Sequence, residues 1–133
     1  MKKINSDVIQ SYEKEGWLQY YGVQKDVRPY IAESHCFVLP SWHEGMANTN
    51  LESASSGRPV ITSNIHGCLE AVQDGITGFL CEKGDVESLY QSMKKFLQLP
   101  YTEKRCMGLA GRRHVEENFE KEKVVQKTIK RLF

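Results

Sequence analysis

The sequence predicts an α/β fold built around a parallel sheet of about four strands with flanking helices. Helical and extended segments alternate along the chain, which is the pattern of strands joined by helical crossovers. The runs "HCFVLP" and "RPVITS" are typical of parallel strands that are buried on both faces. Short loops follow the strands at their carboxyl ends. The arrangement is therefore Rossmann-like, and ligands are expected at that edge of the sheet.

Three elements are expected before "HCFVLP". Ser6 or Asp7 caps an opening helix, "SDVIQSYEKEG", which stops at its final glycine. The segment "WLQYYGV" predicts a short strand that ends at Gly22. A short helix, "DVRPYIAES", begins near Val27, because its proline fits a helix only in the first turn.

The second half of the chain repeats the alternation. A loop, "SWHEGMA", leads into a helix, "NTNLESASSG", which Gly57 closes. A loop, a short helix "CLEAVQDG" and a last strand "TGFLCE" follow "RPVITS". Asp85 caps an amphipathic helix with a predicted inner face of Val86, Leu89, Tyr90, Met93 and Leu97. Thr102 is expected to cap the next helix, and a tail helix over about 120–133 ends a single partial domain of residues 1–133.

The composition excludes several classes of protein. A chain of 133 residues with 40% hydrophobic residues and a net charge of +1 is an ordinary globular domain, and it lacks the basic excess of a nucleic-acid binder. Four cysteines without C-x-x-C spacing favour a reducing, cytoplasmic setting. No apolar run has membrane-spanning length and the N-terminus has no signal-peptide pattern, so at most a peripheral contact with the inner membrane face is expected.

The loop before the third helix suggests phosphate and sugar chemistry. The sequence has neither the dinucleotide-binding G-x-G-x-x-G nor a P-loop. Instead Gly45 and the small residues Ala47 and Asn48 lead into a helix start, whose free N–H groups attract anions. Glu44 and Glu52 flank this start with seven residues between them, and a carboxylate is a bidentate acceptor for hydroxyl pairs. The predicted ligand is therefore a hydroxyl–phosphate–hydroxyl molecule.

Ordinary roles for these side chains stay open at this point. Thr49 and Glu52 fit a capping box, in which Glu52 serves the helix rather than a ligand. Glu44, taken alone, is typical of a solvated loop acid. His43 and His66 flank the expected cleft, where contact with phosphate or sugar and simple solvation are both open.

The stretch from "FVLPSWHEGMANTNLE" to "DGITGFL" resembles the donor-binding C-terminal domain of retaining glycosyltransferases of family 4, which have the GT-B architecture. It carries the paired glutamates, "PS" before them, "G-x-P-V-I" after them, and then Gly67-x-x-Glu70. The resemblance is strong over about 22–80. Within the family, the sequence is similar to members that build capsular or other surface polysaccharides. Glu70 alone is also explained by a favourable position at a helix start.

The resemblance implies transfer of a hexose from a UDP- or GDP-sugar to a glycan or lipid-linked acceptor, with retention at the anomeric carbon. Glu44 is then the catalytic residue that contacts the transferred sugar, and Glu52 binds the ribose. The other implied donor-binding positions are Gly45, Met46, Ala47, Asn48, Thr49 and Asn50 around the sugar and diphosphate, with Gly22, Val23 and Gln24 along the base. No metal or other cofactor is implied, because the helix dipole and basic side chains meet the diphosphate charge.

The sequence also departs from this family. The N-terminal acceptor domain, the first two strands of the donor domain and an Arg/Lys pair that faces the diphosphate have no counterpart in it. The remaining strands are expected to close up into a four-stranded sheet, or the chain to self-associate over exposed surface. Alone, the chain is expected to be inactive, since one wall of the cleft is absent. A non-catalytic nucleotide- or phosphate-binding module and an α/β interaction domain are the alternatives.

Overall fold

The computed structural model describes residues 5–119. The tail helix that was predicted over about 120–133 lies outside the described residues. In chain order the elements are α1 (Ser6–Lys14), α2 (Arg28–Glu33), β1 (Phe37–Leu39), α3 (Asn48–Ser55), β2 (Val60–Ser63), a 3-10 helix (Leu69–Ala71), β3 (Gly78–Cys81), α4 (Val86–Gln98) and α5 (Tyr101–Phe119).

The sheet is parallel, in the order β1-β2-β3, which confirms the α/β class. Val38 lies opposite Ile61, and Ile61 lies opposite Phe79. β2 is buried along its whole length, as expected of a central parallel strand. β1 is only partly buried, so the prediction that "HCFVLP" is covered on both faces was wrong. The reason is its place at the edge of the sheet, where one side carries no neighbouring strand among the described residues.

The predicted strand over "WLQYYGV" is not formed, so the sheet has three strands rather than about four. Its side chains face solvent, and Trp17 is 77% exposed. The backbone N–H of Tyr20 donates to the Glu13 carboxylate over 3.0 Å instead of to a strand. Within residues 5–119 no strand pairs with the free edge of β1, although Tyr21 and Gly22 line a cavity together with Phe37. Self-association stays a prediction.

Two apolar clusters sandwich the sheet because successive side chains of a strand point to opposite faces. Val60 packs with Ala54 of α3 and Val115 of α5, whereas Ile61 packs with Phe96 of α4 and Met107 of α5. Helices α3 and α5 contact each other closely, and α4 contacts β3. The core therefore holds the strands in a fixed register and directs their carboxyl ends toward one surface.

The inner face of α4 differs from the predicted one. Ser92 and Phe96 are the buried positions, while four of the five predicted inner residues are exposed: Val86, Tyr90, Met93 and Leu97. The packed face is one residue out of phase with the most apolar stripe. Asp85 caps α4 as predicted, accepting from Ser88 N–H over 3.0 Å, and with this start the aromatic ring of Phe96 fits against Ile61. Shape at the core has therefore outweighed total hydrophobicity.

Helix ends follow the predictions to within a residue or two. α2 begins after Val27, as its proline requires. The cap of α1 is Asn5, whose side chain accepts from Asp7 N–H, rather than Ser6 or Asp7. Helix α5 begins at Tyr101, so Thr102 lies inside the helix and is not its cap.

Candidate functional site

The candidate site lies where β1 ends and the chain turns into α3. Ser41 Oγ donates to Glu44 Oε1 over 2.8 Å, which fixes the direction of this half-buried carboxylate. Glu44 lines a cavity of about 470 Å³, which is called the Glu44 cavity below. Trp42, His43, Gly45, His66 and Lys83 also line this cavity. The loops after all three strands thus meet at the edge of the sheet where a ligand was expected.

The start of α3 presents unpaired amide groups. Ala47 is the N-cap and lacks a side chain that could cap the helix. Among the described residues, no protein acceptor pairs with the backbone N–H groups of Gly45, Met46, Asn48 and Thr49. The N–H groups of Asn48 and Thr49, in the first turn of α3, carry the positive end of the helix dipole, and those of Gly45 and Met46 lie in the loop just before it. The predicted helix start with free N–H groups is therefore present, with Glu44 beside it.

Two of the predicted donor-binding residues have their N–H groups engaged inside the fold. Ala47 N–H donates to Gly67 O over 2.8 Å, and Asn50 N–H donates to Ala47 O over 3.0 Å. The Asn50 side chain is fully buried and donates to Thr62 Oγ1 over 3.0 Å. Thr62 Oγ1 in turn donates to Leu39 O over 2.9 Å. This chain of hydrogen bonds ties α3 to the ends of β1 and β2, which makes Asn50 a structural anchor of the site.

Glu52 is exposed on α3, and the capping-box alternative is wrong. A capping box requires Thr49 to be the N-cap, but Ala47 occupies that position and Thr49 is already helical. The pKa of Arg28, the first residue of α2, is raised first by its hydrogen bond with Asp26 and also, more weakly, by the charge of Glu52. Glu52 is thus available to a ligand on the surface of α3.

The Gly22–Gln24 segment lies apart from Glu44. Val23 is fully exposed, while Gly22 and Gln24 line a second cavity of about 230 Å³. That cavity shares no lining residue with the Glu44 cavity and is bounded by side chains of α2 and β1, including Ile31 and Phe37. The structure therefore does not bring the predicted base-binding segment to the Glu44 carboxylate.

A second loop supports the first by close backbone contact at Gly67. Gly67 has φ +93°, and a Cβ there would lie 2.4 Å from Glu44 O and 2.7 Å from Gly45 O. Only glycine adopts this conformation freely and lets the two loops approach so closely. The predicted turn glycine is thus also a packing glycine of the Glu44 loop.

Glu70 fixes this second loop. Its carboxylate accepts the Gly67 N–H with both oxygens, at 3.1 and 2.9 Å, and contacts His66 Nδ1 at 2.7 Å. Partial burial acts to raise the pKa of Glu70, but the hydrogen bond from Gly67 and the charge of His66 lower it overall. The Glu70 carbonyl also lies 2.9 Å from His114 Nε2 of α5. Glu70 lies in the first turn of the 3-10 helix, as the sequence suggested, and it also braces this loop against α5.

A comparison with family models identifies the chain, because residues 4–99 match the model described as "Glycosyl transferases group 1". The chain belongs to the group 1 glycosyl transferases. It is 35% identical over 83 residues to the capsular polysaccharide biosynthesis glycosyltransferase CapM of Staphylococcus aureus, covering 62% of this chain and 22% of CapM. It is 31% identical over 118 residues to N-acetyl-alpha-D-glucosaminyl L-malate synthase of Bacillus anthracis, covering 89% of this chain and 31% of that enzyme.

Solved structures agree with this membership. Sucrose-phosphate synthase from Thermosynechococcus elongatus superposes with a TM-score of 0.80 at 25% identity, over 93% of this chain and 31% of that one. Anabaena HepE, solved in complex with UDP and glucose, gives 0.79 at 17% identity, over 95% and 35%. The chain therefore has the fold of a C-terminal part of GT-B glycosyl transferases and spans about a third or less of the relatives named here. Among residues 5–119, no helix combines the length and apolar character needed to cross a bilayer.

Sequence reasoning missed two residues of this group 1 glycosyl transferase site. Lys83 follows β3 and lines the Glu44 cavity, with its Nζ 5.8 Å from the centre of the Trp42 ring. Trp42 stands two residues before Glu44 and is half exposed. A search for basic residues just after each strand would have found Lys83, because the carboxyl ends of parallel strands share one edge.

Proposed function

We propose that this chain binds the nucleotide-sugar donor of a retaining hexosyltransferase that uses a UDP- or GDP-sugar in surface polysaccharide synthesis. The observation that carries the proposal is the group of four unpaired N–H groups at the start of α3, which lies between the carboxylates of Glu44 and Glu52. The order is a carboxylate that accepts hydrogen bonds, a set of N–H donors, and a second carboxylate that accepts. A diphosphate with a hydroxyl-bearing group on each side matches this order.

Each part of the donor has a proposed partner. The diphosphate accepts hydrogen bonds from the N–H groups of Gly45 and Met46 in the loop, and from those of Asn48 and Thr49 at the positive end of the α3 dipole. Glu44 accepts from hydroxyls of the hexose, and Glu52 accepts from the ribose. The Gly22–Gln24 segment, part of which lines a cavity with side chains of α2, lies along the base.

The sequence has no counterpart of the Arg/Lys pair that faces the diphosphate in the family. We propose that Lys83 supplies a basic side chain in its place. It lines the same cavity as Glu44 and Gly45, so its ammonium group is placed to offset the negative charge of a diphosphate. We propose that Lys83 and the helix start together meet this charge without a bound metal ion. Equal affinity for UDP with and without EDTA is the expected result, and a loss of binding in EDTA would contradict this part.

In the whole enzyme, transfer breaks the bond between the anomeric carbon of the hexose and the diphosphate oxygen. An acceptor hydroxyl oxygen forms the new bond on the same face and releases its proton, while UDP or GDP departs. The N–H groups and Lys83 stabilise the negative charge that grows on the leaving oxygen. The acceptor surface lies on a part of the enzyme that this chain does not contain, so we propose binding without transfer for the chain alone.

Three similar proteins support parts of this proposal. HepE, which has the same fold, is solved with UDP and with UDP-glucose. CapM is described by its role in capsular polysaccharide biosynthesis, and another relative from Escherichia coli, 39% identical over 72 residues, is a UDP-Gal-dependent galactosyltransferase that acts on a diphosphoundecaprenol-linked sugar. We further propose a cytoplasmic location with peripheral contact to a membrane-held acceptor. Four free cysteines are in line with a reducing compartment.

Calorimetric titration with UDP and with GDP tests the proposal. The Glu52→Gln variant should bind the preferred nucleotide about tenfold more weakly, since it loses one charged hydrogen-bond acceptor. Glu103→Gln is the matched control, because Glu103 is an exposed acid in the first turn of α5, outside the lining of the Glu44 cavity. Equal affinities of both variants and the parent chain would contradict the ribose assignment. An absence of any nucleotide binding by a folded chain would instead favour an interaction domain.

A further inference from the structure

Trp42 is an exposed aromatic side chain at the centre of the site and takes no part in the core. Half of its surface is accessible. It lines the Glu44 cavity and also a neighbouring cavity of about 740 Å³, together with Pro40, Ser41 and His43. Trp42 therefore stands between the pocket proposed for the donor and a second space on its outer side.

The indole is held in place from the β3–α4 loop. Lys83 Nζ lies 5.8 Å from the ring centre, within the range of a cation–π contact. Gly84 lies so close to the ring that a Cβ there would be 2.5 Å from Trp42 Cη2. A ring fixed before the ligand arrives loses little further conformational entropy on binding. Trp42 thus presents a preformed aromatic face to both cavities.

The groups around this face select a particular ligand chemistry. A pyranose ring has an apolar face of C–H bonds and a rim of hydroxyl groups. Trp42 offers a flat apolar surface, while Glu44 and His43 offer hydrogen-bonding groups beside it. An aromatic face next to a carboxylate meets both needs of such a ring, whereas a phosphate gains nothing from the indole.

We propose that Trp42 is the stacking platform of a pyranose-binding subsite next to Glu44. The ring that stacks there belongs either to the hexose of the donor or to the sugar of an acceptor. The inference rests on the proposed function only in placing the diphosphate at the start of α3. The subsite itself depends on the positions of Trp42, Glu44, Lys83 and Gly84.

Tryptophan fluorescence tests the platform directly. Trp17 is 77% exposed and its Nε1 donates to Glu15, outside the lining of both cavities, so Trp17→Phe leaves Trp42 as the sole indole. Titrations use UDP, UDP-glucose and methyl α-glucopyranoside. A change in Trp42 emission with UDP-glucose but not UDP supports stacking of the donor hexose. A change with the methyl glucoside, alone or in the presence of UDP, supports stacking of an acceptor sugar. No change with any pyranose, or the whole change with UDP alone, overturns the proposal.

Calorimetry of Trp42 variants gives a second measurement. Trp42→Ala should weaken the ligand that gave the fluorescence change by about tenfold more than it weakens UDP, while Trp42→Phe keeps most of the affinity. Gly84→Ala displaces the ring without removing it and should weaken the same ligand. If UDP binds and Trp42→Ala leaves pyranose affinity unchanged, the platform is refuted and the proposed function stands. If neither UDP nor GDP binds, the proposed function fails, and the methyl glucoside arm still decides the platform.

Discussion

Replacing Gly67 by alanine should damage both the stability of the fold and the nucleotide site. The φ of +93° costs a residue with a Cβ about 1–2 kcal/mol. The new methyl group would lie 2.4 Å from Glu44 O and 2.7 Å from Gly45 O, and relieving such overpacking costs a further ~1–3 kcal/mol. We therefore expect Gly67→Ala to lower the free energy of unfolding by about 2–5 kcal/mol. The displaced Glu44 loop should also weaken UDP binding at least about tenfold.

Gly75→Ala is the matched control for this prediction. Gly75 has φ +79°, but a Cβ there would meet no atom within 4 Å. This variant should lose only the conformational cost of about 1–2 kcal/mol and keep its affinity for UDP. Urea unfolding followed by circular dichroism gives the stabilities, and calorimetry gives the affinities. Equal stability and equal UDP affinity of the two variants would refute the idea that Gly67 supports the Glu44 loop by close backbone contact.

Three further predictions concern other parts of the fold. Gly108→Ala should destabilise α5 by about 1–3 kcal/mol, since its Cβ would lie 2.0 Å from Gly57 O. Gly111→Ala meets only ordinary contacts and should stabilise the helix by up to about 1 kcal/mol. Equal urea midpoints of the two variants would contradict this prediction. The lowered pKa of Glu70 stabilises the folded state fully above its ordinary value of 4.5, and this contribution disappears as the pH falls through the folded pKa. In Glu70→Gln that pH-dependent part of the unfolding free energy should be absent. The measurement is the unfolding free energy between about pH 3 and 6, a window around that ordinary pKa. If the variant and the parent chain give the same pH profile, Glu70 does not act as the brace. Burial raises the pKa of Cys36 to about 12. Maleimide at about pH 8, well below that pKa, should therefore label the exposed Cys106 first. Rapid labelling of both cysteines in the folded chain would contradict the described core.

The parts of the fold that depend on local pattern could be predicted from the sequence. β2 was identifiable because a short apolar run between polar loops has few alternatives, and the structure buries all of it. The start of α2 followed from the restriction on proline. The loop at Gly45 and the helix start after it were predicted from small residues that follow a buried strand. These features are set by a few neighbouring residues.

The features that were missed depend on distant partners. "WLQYYGV" has the composition of a strand, but a strand needs a neighbour, and no neighbour is present within residues 5–119. The inner face of α4 is the one that carries Phe96, which packs against Ile61 of β2, rather than the richest apolar stripe. Lys83 is 39 positions from Glu44 in the sequence and reaches the same cavity only because β1 and β3 end at one edge.

The candidate site shows the same division. The order of Glu44, helix start and Glu52 was readable from spacing, and the structure gives the unpaired N–H groups that the order implies. The engagement of Asn50 with Thr62 could not be read, because the partner lies on β2. The link between Gly67 and Glu44 likewise required the two loops to be placed in space.

The most direct test of the donor-binding account is an NMR titration of the 15N-labelled chain with UDP-glucose. The account predicts that the amide signals of Gly45, Met46, Asn48 and Thr49 shift together and saturably, while the amide of Gly75, at the turn before β3, stays in place. UDP alone should shift the same four amides. Binding that leaves these four signals unmoved, or shifts confined to residues outside the Glu44 loop and the start of α3, would contradict the central claim.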